Sequence, residues 1–310
     1  MAKAAFLFPG QGAQHVGMGR DLFDNCPDAR RTFETANQVL GFDIAQMCFA
    51  GDEAKLADTA ISQPAILVAS VAALRALEAQ KPGVLANGVA AAGLSLGEYT
   101  ALVAAGALAF EDAVRLVRNR GLFMQEAGEQ NPGGMVSIIG LSDADVEAVC
   151  AQARHCGEVV AANLNCPGQV AISGAPQALE EASKLAKEKG AKMVVPLKVS
   201  GAFHSKLMAP AAERLAAEVQ AVRINRPRWP IVANVTAAYV REPEDIRDAL
   251  IKQLCSPVLW SRSMQFLIAE GVEEFCEIGP GKVLAGLMRR IDKTKRVASI
   301  GDMASLDAVA

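Results

Sequence analysis

The chain has 310 residues, a formal net charge of −3, and a composition that is 51% hydrophobic, 21% charged and 5% aromatic. That length supports a large core and one or two domains. The slightly acidic balance argues against a general nucleic-acid binder, and the apolar content excludes a disordered or low-complexity chain.

Ala4–Phe8 reads as a buried first strand, because its short apolar run stops at Pro9-Gly10 and does not have the form of a signal peptide. The glycine-rich loop Pro9-Gly10-Gln11-Gly12-Ala13-Gln14 follows. It lacks the spacing of a dinucleotide fingerprint. Helical patterns cover Asp28–Leu40 and Gln63–Gln80, the second with Pro64 in its first turn. The Ala/Val/Leu-rich stretch from Val84 to Phe110 is broken by Glu98 and several glycines. It predicts a strand and a buried helix rather than a membrane span.

Within that stretch lies Gly93-Leu94-Ser95-Leu96-Gly97, a G-x-S-x-G pattern. The apolar run Val89–Ala92 leads into it, and Glu98 and Tyr99 open a helical pattern after it. Strand, sharp turn and helix lift a serine hydroxyl out of the backbone at a helix N-terminus, where free N–H groups stabilise an oxyanion. The arrangement points to acyl transfer. Another helix starts near Glu111 and continues through Arg120 towards Met124.

The texture changes at Asn131-Pro132-Gly133-Gly134. From there the pattern predicts strand Met135–Ile139, helix Asp143–Ala153, strand Val159–Leu164, a turn at Asn165–Gly168, strand Gln169–Ser173, helix Pro176–Lys189 and strand Lys192–Leu197. The order β-α-β-β-α-β is that of a ferredoxin-like unit. The expected organisation is therefore α/β: a large α/β-hydrolase-like domain with a parallel sheet core, formed by residues 1–130 and 199–310, and an inserted ferredoxin-like small domain of residues 131–198. The large domain resumes with helix Pro210–Val222, strand Ile231–Val235, helices Pro243–Gln253 and Ser261–Ala269, and buried strand Glu274–Ile278, which ends in Gly279-Pro280-Gly281.

The seven cysteines are scattered and form no C-x-x-C pair, which suits reduced thiols in a cytoplasmic setting better than a disulfide framework or a zinc site. A serine is a weak nucleophile without a base, and the chain has only three histidines to choose from. His155 lies at a predicted helix end. His15 follows the first glycine-rich loop. His204, in Gly201-Ala202-Phe203-His204-Ser205, falls where the small domain gives way to the large one, and such junctions form clefts. His204 is the candidate base. No carboxylate is obviously placed to orient it, so a backbone or amide oxygen is an alternative holder.

Taken together, several motifs resemble malonyl-CoA:acyl carrier protein transacylases, the acyltransferases of fatty-acid and polyketide synthesis. They are Phe8–Gly12, Gly93–Tyr99, Arg120 with Met124-Gln125, Gly201–Ser205, Gln253 with Pro257-Val258 and Trp260, and Gly279–Gly281. The resemblance covers nearly the whole chain. It implies Ser95 as nucleophile, His204 as general base and acid, and the backbone carbonyl of Gln253 as the partner of the imidazole. It implies an oxyanion hole made by the N–H groups of Gln11 and Leu96. Arg120 would bind the free malonyl carboxylate, for which a planar guanidinium is well shaped. Phe203 would crowd a branched acyl chain, and Asn163 and Asn165 match asparagines near the family's cleft. Leu94 stands where many members carry histidine.

The resemblance further implies malonyl-CoA and an acidic acyl carrier protein as partners, no metal or redox cofactor, no nucleic acid or membrane, and a monomer. Lys187, Lys189, Lys192, Arg289 and Arg290 are candidates for steering the carrier. Two other readings remain: a serine thioesterase or esterase of α/β-hydrolase type, and a non-catalytic scaffold that binds a carrier protein. The first expects an acid after the serine and a histidine close to the C-terminus, whereas the last histidine here is His204.

Overall fold

The computed structural model describes residues 2–309. The first part of the chain forms β1 (Ala4–Phe8), α1 (Arg20–Asn25), α2 (Pro27–Leu40), α3 (Ile44–Ala50), α4 (Glu53–Ala57), α5 (Thr59–Gln80), β2 (Gly88–Gly93), α6 (Gly97–Ala104) and α7 (Phe110–Gln130). A central segment follows with β3 (Gly134–Ile139), α8 (Asp143–Ala153), β4 (Val159–Cys166), β5 (Gln169–Gly174), α9 (Pro176–Glu188) and β6 (Met193–Pro196). The remainder is α10 (Ala209–Ala221), β7 (Ile231–Val232), β8 (Tyr239–Val240), α11 (Pro243–Gln253), α12 (Trp260–Ala269), β9 (Glu274–Ile278), α13 (Val283–Ile291), β10 (Val297–Ile300) and α14 (Met303–Ala308).

The chain is a mixed α/β protein, and its described residues form two sheets. The larger has the order β10-β9-β1-β2-β7-β8 and is parallel except for the two-residue edge strand β8. Its central strand β1, AAFLF, is buried at every position, as a parallel strand covered by helices on both faces requires. The smaller sheet, β4-β5-β3-β6, is antiparallel throughout. Its strands and helices follow one another as β-α-β-β-α-β.

Several predicted boundaries shift for physical reasons. Helix α5 starts at Thr59 rather than Gln63, so Pro64 is inside the helix and not in its first turn. The hydrogen bond that Pro64 cannot donate would have reached the carbonyl of Ala60; Arg118 donates to that carbonyl instead. This helix is apolar enough in composition to cross a membrane, but 89% of its apolar window is buried inside the protein. The strand predicted over Ile231–Val235 stops at Val232. There the chain turns tightly, with Ala237 donating to the Ala233 carbonyl at 2.9 Å and Ala237 itself at φ 53°. β4 runs on through Cys166, which shortens the predicted turn to Pro167-Gly168. The short helices α1, α3 and α4, and the elements α13, β10 and α14, have no counterpart in the sequence reading.

The topology sets the site. In parallel sheets, loops that leave the carboxyl ends of neighbouring strands converge on one crevice. β1 and β2 are neighbours in register, with Phe8 opposite Gly93. The loop carrying Gln11 and the turn carrying Ser95 therefore emerge side by side. β7 is the next strand, with Ile231 and Val232 opposite Ala91 and Ala92, which brings Asn234 to the same edge.

Candidate active site

The serine turn is held by close backbone approach. A Cβ on Gly93 would lie 1.9 Å from the carbonyl carbon of Gly97, and one on Gly97 would lie 2.1 Å from the Phe8 carbonyl oxygen. Both obstructions are backbone atoms, so only glycine fits. Gly97→Ala is expected to destabilise the fold by about 2–3 kcal/mol through overpacking, read as a lower denaturant midpoint with an unchanged m-value. An unaltered midpoint would show that β1 and α6 can separate without cost.

Ser95 sits at φ 52°, a left-handed conformation that costs a non-glycine residue roughly 1–3 kcal/mol. Asn234 supports it from both sides. Its Oδ1 accepts the Ser95 N–H at 2.7 Å, and its Nδ2 donates to the Gly93 carbonyl at 2.7 Å. The Leu94 N–H donates to the Phe8 carbonyl at 3.1 Å. With Ser95 N–H occupied, Leu96 N–H is the next donor along the turn. Among the described residues neither Leu96 N–H nor Gln11 N–H meets a protein acceptor, and both residues line the cleft.

His204 comes to Ser95 from 109 residues away in the chain, with Nε2 2.8 Å from Ser95 Oγ. It too has a positive φ, 59°. Its Nδ1 lies 2.9 Å from the backbone carbonyl of Gln253. A carbonyl only accepts, so Nδ1 carries the proton and Nε2 is free to accept from the serine. Gln253 is the last residue of α11, where carbonyls lack intrahelical partners and the helix dipole is negative. This end therefore both orients the ring and favours an imidazolium during reaction. Burial, reinforced by the Arg120 charge, pushes the His204 pKa down to about 4. The base is neutral, and so competent, across the physiological range.

Arg120 lies on α7 and is 1% exposed. Its Nη2 donates to Ser95 Oγ at 3.1 Å and to Gln253 Oε1 at 3.0 Å, and Nη1 donates to Gln63 Oε1 at 2.6 Å. Among the described residues it is in no salt bridge with a carboxylate, and its Nε–H has no acceptor. A buried cation held by neutral amides beside a nucleophile is ready to receive an anionic group. Arg115 and Arg118 do not share this placement. Arg115 pairs on the surface with Asp112, and Arg118 caps Ala60 beside Phe42.

The cleft above these groups holds about 470 Å³ and is lined by Leu94, Phe203, Asn163 and Asn165, among others. Phe203 is 5% exposed, and Asn163 is buried with an unpaired Oδ1. His15 is exposed at the mouth of the same cleft, its Nδ1 3.3 Å from the Ala13 carbonyl. His155 is exposed after α8, with its Nδ1 2.7 Å from the Gln152 carbonyl. Three residues escaped the sequence reading as site residues: Gln63, Asn234 and Glu98. Glu98 is buried, and its place directly after the G-x-S-x-G pattern, within an otherwise apolar stretch, was the one available signal for it.

Known proteins resemble the chain over nearly its whole length. A family model described as "Acyl transferase domain" matches residues 5–306. The chain is 45% identical over 308 residues to the malonyl CoA-acyl carrier protein transacylase of Bacillus subtilis, covering 99% of this chain and 96% of that one. It is 43% identical to the Escherichia coli protein of the same name, covering 99% of each. Among solved structures, an acyl carrier protein S-malonyltransferase from Vibrio cholerae superposes with a TM-score of 0.95 at 44% identity, covering 100% of both chains. A malonyl-transacylase solved in complex with its type II PKS acyl-carrier protein gives a TM-score of 0.95 at 41% identity, covering 99% of this chain and 98% of that one.

Proposed function

The chain belongs to the acyl transferase family and is an acyltransferase, and from that premise we propose that it moves a malonyl group from malonyl-CoA to the phosphopantetheine thiol of an acyl carrier protein, supplying extender units for fatty-acid synthesis. One observation carries this reading: a buried Arg120, with no carboxylate partner among the described residues, donates to the same hydroxyl that His204 is placed to deprotonate.

The reaction is a ping-pong exchange through a serine ester. Arg120 pairs with the malonyl carboxylate, which aligns the thioester carbonyl with Ser95. Ser95 Oγ attacks the carbonyl carbon while His204 Nε2 takes the hydroxyl proton. The tetrahedral oxyanion is held by the N–H groups of Gln11 and Leu96. The C–S bond breaks, and the CoA sulfur leaves with the proton from His204. The carrier's thiol then gives its proton to His204 and attacks the malonyl-serine ester. Ser95 Oγ departs and regains the proton. Phe203 limits the acyl chain near the base, a discrimination worth a few kcal/mol at most. We also read residues 1–130 and 199–310 as a large α/β-hydrolase-like domain, residues 131–198 as an inserted ferredoxin-like domain, and the free thiols as those of a cytoplasmic protein.

Incubation with malonyl-, acetyl- and methylmalonyl-CoA, followed by intact mass measurement, tests the proposal. The malonyl adduct is expected to form fastest and to disappear on addition of phosphopantetheinylated carrier protein. An unmodified protein would remove the reading, and steady malonyl-CoA hydrolysis without a thiol acceptor would favour a thioesterase. A pH series adds a second check. With the His204 pKa near 4 rather than the usual 6.5, the base stays neutral as pH falls from 8 to 5. Acylation by acetyl-CoA is therefore expected to stay flat over that range. An ordinary histidine would lose about 30-fold at pH 5.

A further inference from the structure

Glu98 is a carboxylate that the exchange above does not use. It is 2% exposed, on the first turn of α6. Its Oε2 accepts from Gln253 Nε2 at 2.8 Å and from the Asn234 backbone N–H at 3.2 Å. Each of those partners reaches the reacting groups. Gln253 Nε2 also donates to the Ser95 carbonyl at 3.0 Å, its Oε1 accepts from Arg120, and its own carbonyl faces His204. Asn234 brackets the serine turn. The orientation of the Gln253 carboxamide is fixed by these neighbours, because the Ser95 carbonyl can only accept and Arg120 can only donate. One buried carboxylate thus lies behind the nucleophile, the base and the arginine at once.

Glu98 is also the carboxylate whose charge acts on Arg120. The other ionisable groups around it are Tyr99 on its own helix, whose hydroxyl is pushed up to about 12 by burial, and His204 across Gln253, which is neutral. α11 and the β7 loop present the neutral amides Gln253 and Asn234, and β1 and β2 carry no ionisable side chain. The charged residues of α5, Arg75 and Glu78, are turned to Thr32 and Arg228. When a substrate carboxylate docks on Arg120, two anions share one cation in a dry site, and like charges so placed cannot both persist cheaply.

We propose that Glu98 is a positioning and charge-balancing residue, which holds Gln253 and Asn234 in place and takes up a proton from solvent when the malonyl carboxylate docks on Arg120. The proposal rests on the malonyl-transfer reading above. Burial pushes the Glu98 carboxyl up to about 7, against the opposing pull of the Gln253 and Asn234 N–H groups and of Arg120. In the free protein it is therefore ionised above that pH and only partly below it. Malonyl binding then weakens as pH rises, by up to tenfold per unit above about 7.

The test compares KM for malonyl-CoA and acetyl-CoA from pH 6 to pH 8.5 in the unaltered protein and in Glu98→Gln. Acetyl-CoA carries the same CoA phosphates, so it subtracts their titration. In the unaltered protein the malonyl KM is expected to climb above pH 7 while the acetyl KM does not. Glu98→Gln retains an oxygen acceptor for both N–H donors and should give a low malonyl KM without that climb. Should this variant misfold, calorimetry of malonyl-CoA binding to Ser95→Ala in buffers of different ionisation enthalpy reads the proton directly. Uptake at pH 7–8 with malonyl-CoA but not acetyl-CoA is expected. Parallel malonyl and acetyl profiles, or no proton uptake, would overturn the role of Glu98 while leaving malonyl transfer intact. Failure of the unaltered protein to accept a malonyl group at all would instead overturn the reading on which it rests.

Discussion

Ser95→Ala is expected to abolish the malonyl adduct and to reduce transfer by about 10⁴-fold or more, as loss of an activated serine does in acyl-enzymes. The substitution should leave the fold intact. Alanine meets the φ of 52° with no more strain than serine, and the supporting bonds use the Ser95 backbone N–H and carbonyl rather than its hydroxyl. Binding of malonyl-CoA should survive, because Arg120, Gln11 and Leu96 are untouched. Cysteines are poor substitutes for the missing nucleophile: burial pushes the thiols of Cys48, Cys150 and Cys276 up to about 12, so they do not form thiolates near neutrality. An adduct of undiminished amount in Ser95→Ala, mapped to another residue by peptide mass spectrometry, would sink the serine-ester route.

Arg120→Ala is expected to lower kcat/KM for malonyl-CoA by about 30- to 4,000-fold, the range for truncating one side of a buried charge pair at about 2–5 kcal/mol. Acetyl-CoA has no carboxylate to lose, so its acylation should change by less than about tenfold and the preference for malonyl should collapse. Stability will also fall. Gln63 Oε1 and Gln253 Oε1 both lose their donor, and an unsatisfied buried acceptor costs about 1–3 kcal/mol. Thermal denaturation of the variant separates that loss from the kinetic one. Equal declines with the two CoA esters would show that Arg120 supports the site generally and does not read the carboxylate.

Two of the five proposed carrier-steering residues have local partners as well. Lys189 is paired with Asp145 at 3.1 Å, and Arg290 donates to Gln169 Oε1 at 2.5 Å. These groups have local partners, so their charge by itself does not identify a docking face.

Local signals determined much of this protein. Short apolar runs closed by glycine and proline marked β1 and β9, which are buried on both faces, and helical periodicity marked α8 and α11, because burial of one helix face repeats along the chain whatever it packs against. The G-x-S-x-G spacing marked the serine turn, since Gly93 answers to the backbone of Gly97 and Glu98 a few residues on, although Gly97 answers to Phe8 on β1. The end of the helix at Gln253 was legible too, and an orphan carbonyl belongs there. What periodicity cannot encode is which buried face meets which. The 109-residue span between Ser95 and His204, the burial of Arg120 between Gln63 and Gln253, and the convergence of Asn234 and Glu98 behind the serine follow from the order of strands β1, β2 and β7 and from the return of α11 onto α6. Pro64 shows the same limit at smaller scale. Its place inside α5 is tolerated because Arg118, from another helix, takes up the carbonyl it leaves free. Hydrogen-bond partners distant in the chain are chosen by packing, and packing is a property of the tertiary structure alone.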